Sequence, residues 1–160
     1  MTSFFDWVGS TPLSQAMQNE AWMIPTIQAV HIGAIAAVFT SAVVLDLRLL
    51  GVSNKGQALP VMTNRFVPWI GWGVLALLLS GLLLMIAEPT RAILNLYFQL
   101  KMAALVVVGA MTWSMAAAVK RNPEGWLAPE KSGGAKLIAI ISLALWALIV
   151  VAGRWIAYGP

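Results

Sequence analysis

The sequence predicts an all-α integral membrane protein: a bundle of four membrane-spanning helices preceded by a short helix on the membrane surface. Its composition supports this fold class, because 60% of the 160 residues are hydrophobic and only 10% are charged. The mean hydropathy is +0.82. A chain of this composition is typical of membrane proteins. We therefore expect the lipid bilayer to be its principal partner.

Four apolar segments are each long enough to cross the hydrocarbon core, for which an α-helix needs about 20 residues. The predicted spanning helices cover residues 22–45, 67–87, 94–119 and 137–158. Each segment is apolar on nearly all faces, and a soluble chain of this size could not bury four such helices. No Pro/Gly/Ser-rich tract separates them. The whole chain, residues 1–160, is therefore predicted to be a single transmembrane domain.

Two stretches outside these segments predict surface structure. In "TPLSQAMQNEAW", Pro12 follows Thr11 and apolar residues recur at helical spacing, which predicts a short interfacial helix on the outer surface. In "AEPTRAILNLYF", we expect Pro89 to end the second spanning helix and Tyr97 to lie at headgroup depth. The first 20 residues contain no Lys or Arg, so a cleavable signal peptide is not expected.

The distribution of basic residues predicts the orientation of the bundle. Seven of the ten Lys and Arg residues lie on one side, near the two links between helices one and two and between helices three and four. They are Arg48, Lys55, Arg65, Lys120, Arg121, Lys131 and Lys136. Basic links stay in the cytoplasm, so both termini are predicted to be periplasmic in a bacterial inner membrane. The net charge of +4 then reflects topology, and we expect no nucleic-acid partner.

The single histidine, His31, lies within "IQAVHIGAIAAVF". It is about nine residues into the first spanning helix and hence about 13 Å deep. Ionisable groups at such positions face the bundle interior or a ligand. One interpretation is a hydrogen bond between helices, to Thr112, Ser114 or a backbone carbonyl. The other is axial ligation of haem iron, which neutral imidazole commonly provides. Small residues nearby would leave room for a flat macrocycle, or would equally serve close packing of helices. They are Ala29, Gly33, Ala34, Ala36 and Ala37.

Two cations are predicted to share the leaflet of His31. Lys101 lies early in the third spanning helix, and Arg154 lies near the outward end of the fourth. Both could pair with haem propionates by charge-assisted hydrogen bonds, or extend to the headgroups as interfacial anchors. Lys101 is also a catalytic candidate that relays a proton or orients a substrate. Trp113 and Trp146 lie deeper than the other tryptophans and are expected to pack in the bundle or against a ligand.

The first spanning helix ends in "VVLDLRLLG". A carboxylate near a helix C-terminus is unfavourable with the helix dipole, so Asp46 is expected to have a partner, with Arg65 or Lys120 as candidates. Gly51 is expected to end the helix with a positive φ angle. Both features are interpreted as structural.

Several site classes find no support in the sequence. The chain has no cysteine, which excludes disulfides, Cys-ligated metals and thiol nucleophiles. There is also no Gly-rich phosphate loop and no H-E-x-x-H motif. Redox chemistry would therefore depend on a bound cofactor.

Two segments carry a resemblance to known proteins: "WMIPTIQAVHIGAIAAVFTSAVVLDLRLLG" and "FQLKMAALVVVGAMTW". The combination of Trp22, Pro25, His31 and the D-L-R-L-L-G run at residues 46–51 resembles an uncharacterised family of small four-helix bacterial membrane proteins. More distantly, the chain is similar to the haem-containing membrane protoporphyrinogen oxidase and to the membrane domain of the copper-resistance D proteins. The resemblance to the oxidase implies that His31 binds haem b and that Lys101 supports activity.

The resemblance is incomplete in its histidines. The additional histidines common in those relatives are absent, so one chain cannot provide a bis-histidine haem. The sixth iron position would be open, or would be filled by Lys101, Met102, Met111 or a second protomer.

We therefore expect a cytochrome b-like membrane protein with His31 as the metal ligand and His31, Lys101, Arg154 and Trp113 as cofactor-binding residues. Its expected function is electron transfer or haem-dependent oxidoreductase chemistry on a quinol or a porphyrin, as a homo-oligomer or within a larger membrane complex. The alternative is a cofactor-free structural or accessory subunit.

Overall fold

The computed structural model describes residues 2–87 and 95–156. Its regular structure is helical throughout this part of the chain, and two 3₁₀ turns, Glu124–Trp126 and Pro129–Lys131, lie in the last link. The helices are α1 Thr2–Gly9, α2 Pro12–Asn19, α3 Met23–Leu50, α4 Leu59–Ala87, α5 Leu96–Arg121 and α6 Gly133–Trp155. Helices α3 to α6 are long and apolar enough to cross a membrane. The predicted fold class, a helical membrane bundle with a short N-terminal helix, is confirmed.

The helix ends differ from the predicted boundaries mainly at one end of the bundle. Helix α3 continues to Leu50 and α4 already begins at Leu59. The apolar pattern of the sequence stops before the helix ends, because polar residues enter the last turns of α3. The helix continues through them because they contact other parts of the basic end. We call this end, with the links 51–58 and 122–132, the basic end. The opposite end, which carries α1 and α2, is the N-terminal end.

Helix α2 confirms the predicted short helix and packs over the C-terminal end of α4. The Thr11 hydroxyl caps it by accepting a hydrogen bond from the Ser14 backbone N–H, and Pro12 occupies the first turn. Ser14 and Met17 are buried, and Gln18 Nε2 donates to the Ala87 carbonyl at 2.9 Å. Helix α1 was not anticipated from the sequence. The prediction for Pro89 falls outside the described residues, whereas Tyr97 lies in the first turn of α5.

The four long helices form two hairpins, α3 with α4 and α5 with α6, and α3 also packs against α6. Gly73 of α4 meets the Val38 side chain of α3 so closely that a Cβ at position 73 would overlap it. The fully buried residues of α3 all lie from Val38 onward. Burial of α3 is therefore concentrated in its half toward the basic end, and residues 23–37 are only partly covered.

Candidate functional site

His31 is held against α4 by one hydrogen bond. Its Nδ1 lies 2.8 Å from the Ser80 hydroxyl oxygen, and Ser80 is buried. The Ser80 hydroxyl in turn donates to the Ala76 carbonyl of its own helix at 2.5 Å. A hydroxyl has a single proton to donate, so Nδ1–H of the neutral ring must be the donor to Ser80. The lone pair of the imidazole is then on Nε2.

The same helix provides the surface on which the ring rests. A Cβ added to Gly81 would lie 3.4 Å from His31 Cε1, so the edge of the imidazole contacts α4 at this glycine. The expected hydrogen bond between helices exists, but its partner is Ser80. Thr112 and Ser114 were wrong candidates, because the imidazole nitrogen that forms the bond lies at Ser80 of α4, whereas both of these residues are on α5.

The small residues near His31 in the sequence do not surround its side chain. Successive residues of a helix are rotated by about 100°, so Ala34 shares the face of His31 and packs against the core. The other four small residues lie on the opposite face and are exposed: Ala29, Gly33, Ala36 and Ala37. They therefore do not flank the imidazole. The His31 side chain itself is half-buried.

Lys101 of α5 approaches the same region from the second hairpin. Its side chain packs on Gly153 of α6, where an added Cβ would lie 3.9 Å from Nζ. Lys101 is half-buried and close enough to His31 for the two side chains to interact electrostatically. The structure thus brings together two residues that are 70 positions apart in the sequence.

The remaining predicted site residues are divided between the two halves of the bundle. Arg154 is exposed and directly follows Gly153, while Trp155 stacks on Tyr97 with ring centroids 6.1 Å apart. Both features lie at the N-terminal end, where Lys101 is found. Trp113 is twelve residues further along α5, about 18 Å from Lys101. Its side chain is 71% exposed, so the expectation that it packs within the bundle is wrong. Its contact with a cofactor stays a prediction.

Trp146 packs within the bundle, as predicted. It is buried in the core and meets Phe39 edge to face, with ring centroids 6.2 Å apart. Met111 must be removed from the candidate iron ligands. It borders a cavity beside Asp46, and Asp46 is fifteen residues, or about 22 Å, along α3 from His31. Met102 remains, since it neighbours Lys101 and is half-buried.

The residues at the end of α3 serve the packing of the basic end. Arg48 is 2% exposed and donates from Nη1 to Glu130 at 2.7 Å, from Nε to the Gln57 carbonyl at 2.8 Å and from Nη2 to the Leu127 carbonyl at 3.2 Å. The hydrogen bond from Arg48 lowers the pKa of the Glu130 carboxyl from its ordinary value of 4.5. Arg48 therefore fastens the links of both hairpins to the end of α3.

Two other residues of the D-L-R-L-L-G run, Asp46 and Gly51, also contact other parts of the chain. Gly51 ends α3 with φ at 71°, which confirms the prediction, and the Glu130 side chain lies directly over it. Asp46 is buried and interacts with Ser142 of α6. Neither predicted cation contacts it: Arg65 stacks over Phe66 at 5.8 Å, and Lys120 is exposed.

Four residues that complete these sites were not predicted from the sequence: Ser80, Gly81, Glu130 and Ser142. Ser80 and Gly81 interrupt the otherwise apolar run "LALLLSGLLLM", which was the available signal. Within residues 2–87 and 95–156, no group of three or more His, Asp or Glu residues is placed to hold a metal ion. A metal at His31 would therefore have to bring most of its ligands, as a haem does.

The chain was compared with families, curated proteins and solved structures. No curated protein and no solved structure matches it. One family model matches residues 4–159, which is nearly the whole chain, and its description is "family of unknown function (DUF6644)". The pairing of His31 with Ser80 and the cluster around Arg48 are therefore features of a four-helix membrane protein that belongs to the DUF6644 family.

Proposed function

We propose that this protein binds a b-type haem through His31 Nε2 in the N-terminal half of the bundle. The observation that carries the proposal is the hydrogen bond from His31 Nδ1 to Ser80. Metal-ligating histidines almost always donate their other ring N–H to an acceptor, which selects the tautomer and orients the ring. Ser80 does this here, because its own proton is directed at Ala76. When bound, the haem supplies one-electron redox chemistry.

Lys101 brings an amino group into electrostatic range of the imidazole. Its packing on Gly153 and its proximity to His31 support a role in holding a haem propionate. Arg154, at the same end, is proposed to hold the second propionate. Lys101 is also the residue that would hold or deliver a proton for a bound substrate, which makes it the catalytic candidate. A quinol or a porphyrin, soluble in the membrane, is the proposed substrate class.

The sixth iron position decides between two kinds of activity. If Met102 or a residue from a second protomer fills it, or if Lys101 does so instead of holding a propionate, the protein would carry electrons. If it stays open, the protein would bind or oxidise a small substrate. Low-spin and high-spin absorption spectra distinguish these two states.

The experiment is a visible spectrum of protein expressed with ample haem and purified in detergent. We expect a Soret band that His31→Ala abolishes. Ser80→Ala should keep the fold but weaken haem retention about 10- to 100-fold, as loss of a ligand's hydrogen-bond partner typically does. Ser114→Ala is the matched control, because Ser114 is exposed and donates only to its own helix. If wild-type protein supplied with haem shows no Soret band, the haem proposal is wrong.

The proposed location is a bacterial inner membrane, with both termini in the periplasm. It is supported by the positions of the basic residues, which gather at the basic end. Since the chain has no cysteine, single cysteines report topology directly. In intact cells, a membrane-impermeant maleimide should label Glu20→Cys and should not label Lys55→Cys until the membrane is opened. The reverse labelling pattern would show that the proposed orientation is wrong and that both termini are cytoplasmic.

One observation favours a second candidate, a cofactor-free accessory subunit of a membrane complex. The hydrogen bond from His31 to Ser80 and the contact of the ring with Gly81 join α3 to α4, which is a packing role for the imidazole. In that case His31→Ala lowers the thermal midpoint of haem-free protein, and added haem does not raise the midpoint of the wild type. A haem protein would be stabilised by haem through His31.

A further inference from the structure

Asp46 carries a carboxyl group inside the membrane bundle that the proposed haem site does not use. It is 4% exposed, and its Oδ2 has no hydrogen-bond partner within the described part of the chain. Ser142 interacts with this carboxyl from α6. The nearest cation on the same helix, Arg48, is directed instead at Glu130. The carboxyl group thus lies among α3, α5 and α6 with one polar oxygen unused.

Asp46 is one of the residues that line a small cavity of about 10 Å³. A cavity of this size holds a single water molecule when polar groups line it. Thr112 and Ser142 provide hydroxyls, and Thr112 already donates to the Val108 carbonyl, so its oxygen remains an acceptor. The lining residues are Ala42, Leu45, Asp46, Met111, Thr112, Met115, Ile138 and Ser142.

The surroundings of the carboxyl group do not neutralise a negative charge. Among the described residues that line the cavity, Asp46 is the only titratable group. On the neighbouring elements, Arg48 is bonded to Glu130 and the exposed Arg65 of α4 stacks over Phe66. A carboxylate buried in an apolar interior without a cation is strongly unfavourable, and such a group is neutralised instead. The charge must therefore be removed by a proton or balanced by a bound cation.

The chemistry of the cavity favours the proton. Hard cations such as Ca²⁺ take six or more oxygen ligands, whereas three side chains with oxygen atoms and two thioethers line this space. We propose that Asp46 is a proton-binding site and that the cavity holds one water molecule, which bridges the Asp46 carboxyl to the Thr112 and Ser142 hydroxyls. Because the three groups come from three helices, loss of the proton would place a charge at the point where α3, α5 and α6 meet. The site is independent of haem.

Infrared spectroscopy of the purified full chain in lipid tests this proposal. At neutral pH, we expect the C=O stretching band of a protonated carboxylic acid in the wild type. The band should be lost in Asp46→Asn and unchanged in Glu124→Gln, a control at an exposed residue in the last link. In D₂O the band should shift to lower frequency, because the proton exchanges through the water. Ser142→Ala should shift it to higher frequency, because a hydrogen bond is lost.

Several results would overturn the proposal. A wild-type spectrum with only ionised carboxylate bands does so by itself, even if Asp46→Asn fails to fold. The thermal midpoint provides the second test, with NaCl replaced by choline chloride at constant ionic strength. We expect no change. A midpoint that rises with Na⁺ in the wild type but not in Ser142→Ala would identify a sodium site in place of a proton site.

Discussion

Replacing Gly51 with alanine should destabilise the basic end through two separate effects. The first is conformational: φ at this residue is 71°, and the left-handed region costs a non-glycine residue about 1–2 kcal/mol. The second is steric, since the new Cβ would lie 2.6 Å from Glu130 Cβ. That atom is attached to the backbone, so the Pro129–Lys131 turn must move, and overpacking of this kind costs about 1–3 kcal/mol. The expected loss is therefore about 2–5 kcal/mol in the free energy of unfolding.

The assay is unfolding of the detergent-solubilised protein by sodium dodecyl sulfate, followed by tryptophan fluorescence. Gly56→Ala is the matched control in the same link, because no atom lies within 4 Å of its added Cβ. Gly51→Asn separates the two effects, since asparagine tolerates the left-handed region but keeps the clash with Glu130. If Gly51→Ala unfolds within about 0.5 kcal/mol of the wild type, as an ordinary surface substitution does, the assigned role of Gly51 is refuted.

Two further predictions concern packing and pH. Gly73→Ala should lower the thermal midpoint, because the new Cβ forces α3 and α4 apart. Adding Val38→Ala in a double variant should partly restore the midpoint. Gly71→Ala is the control and should have little effect, because nothing lies near its added Cβ. An equal loss in the single and double variants would argue against the contact. Because Arg48 lowers the pKa of Glu130 in the folded state, their bond stabilises the protein above pH 4.5, and this contribution is lost as the pH falls through the lowered pKa. The midpoint of the wild type should therefore decline in acid more steeply than that of Arg48→Met, and parallel declines would contradict the linkage.

The four spanning helices were predictable because lipid leaves few alternatives. A backbone in hydrocarbon must satisfy its own hydrogen bonds, so an apolar run of sufficient length is a helix whatever its neighbours are. Local chemistry was equally informative at the helix ends. Gly51 and the Thr11–Pro12 start of α2 behave as their residue types predict, since both depend only on the backbone of the same segment.

The contacts between helices were not predictable in the same way. Asp46 interacts with Ser142 instead of Arg65, and His31 with Ser80 instead of Thr112. Each pairing depends on how two helices are rotated and shifted along each other, and hydropathy carries no record of either quantity. The same limitation explains Trp113. The sequence gives the depth of a residue along its helix. On a helix that is apolar on all faces, however, it does not show whether the side chain faces the bundle or the lipid.

The position of Arg48 also bears on how the chain is assembled. Its bond to Glu130 joins residues 82 positions apart, and its bond to Leu127 spans 79. During synthesis, α3 and α4 are complete well before these partners leave the ribosome, so the guanidinium has neither of them while the first hairpin enters the membrane. Closure around Arg48 then requires α5 to have crossed and its following link to have returned to the same side. The cluster thus forms only after α5 has crossed, and it marks a chain in which the link 122–132 lies on the same side as the end of α3.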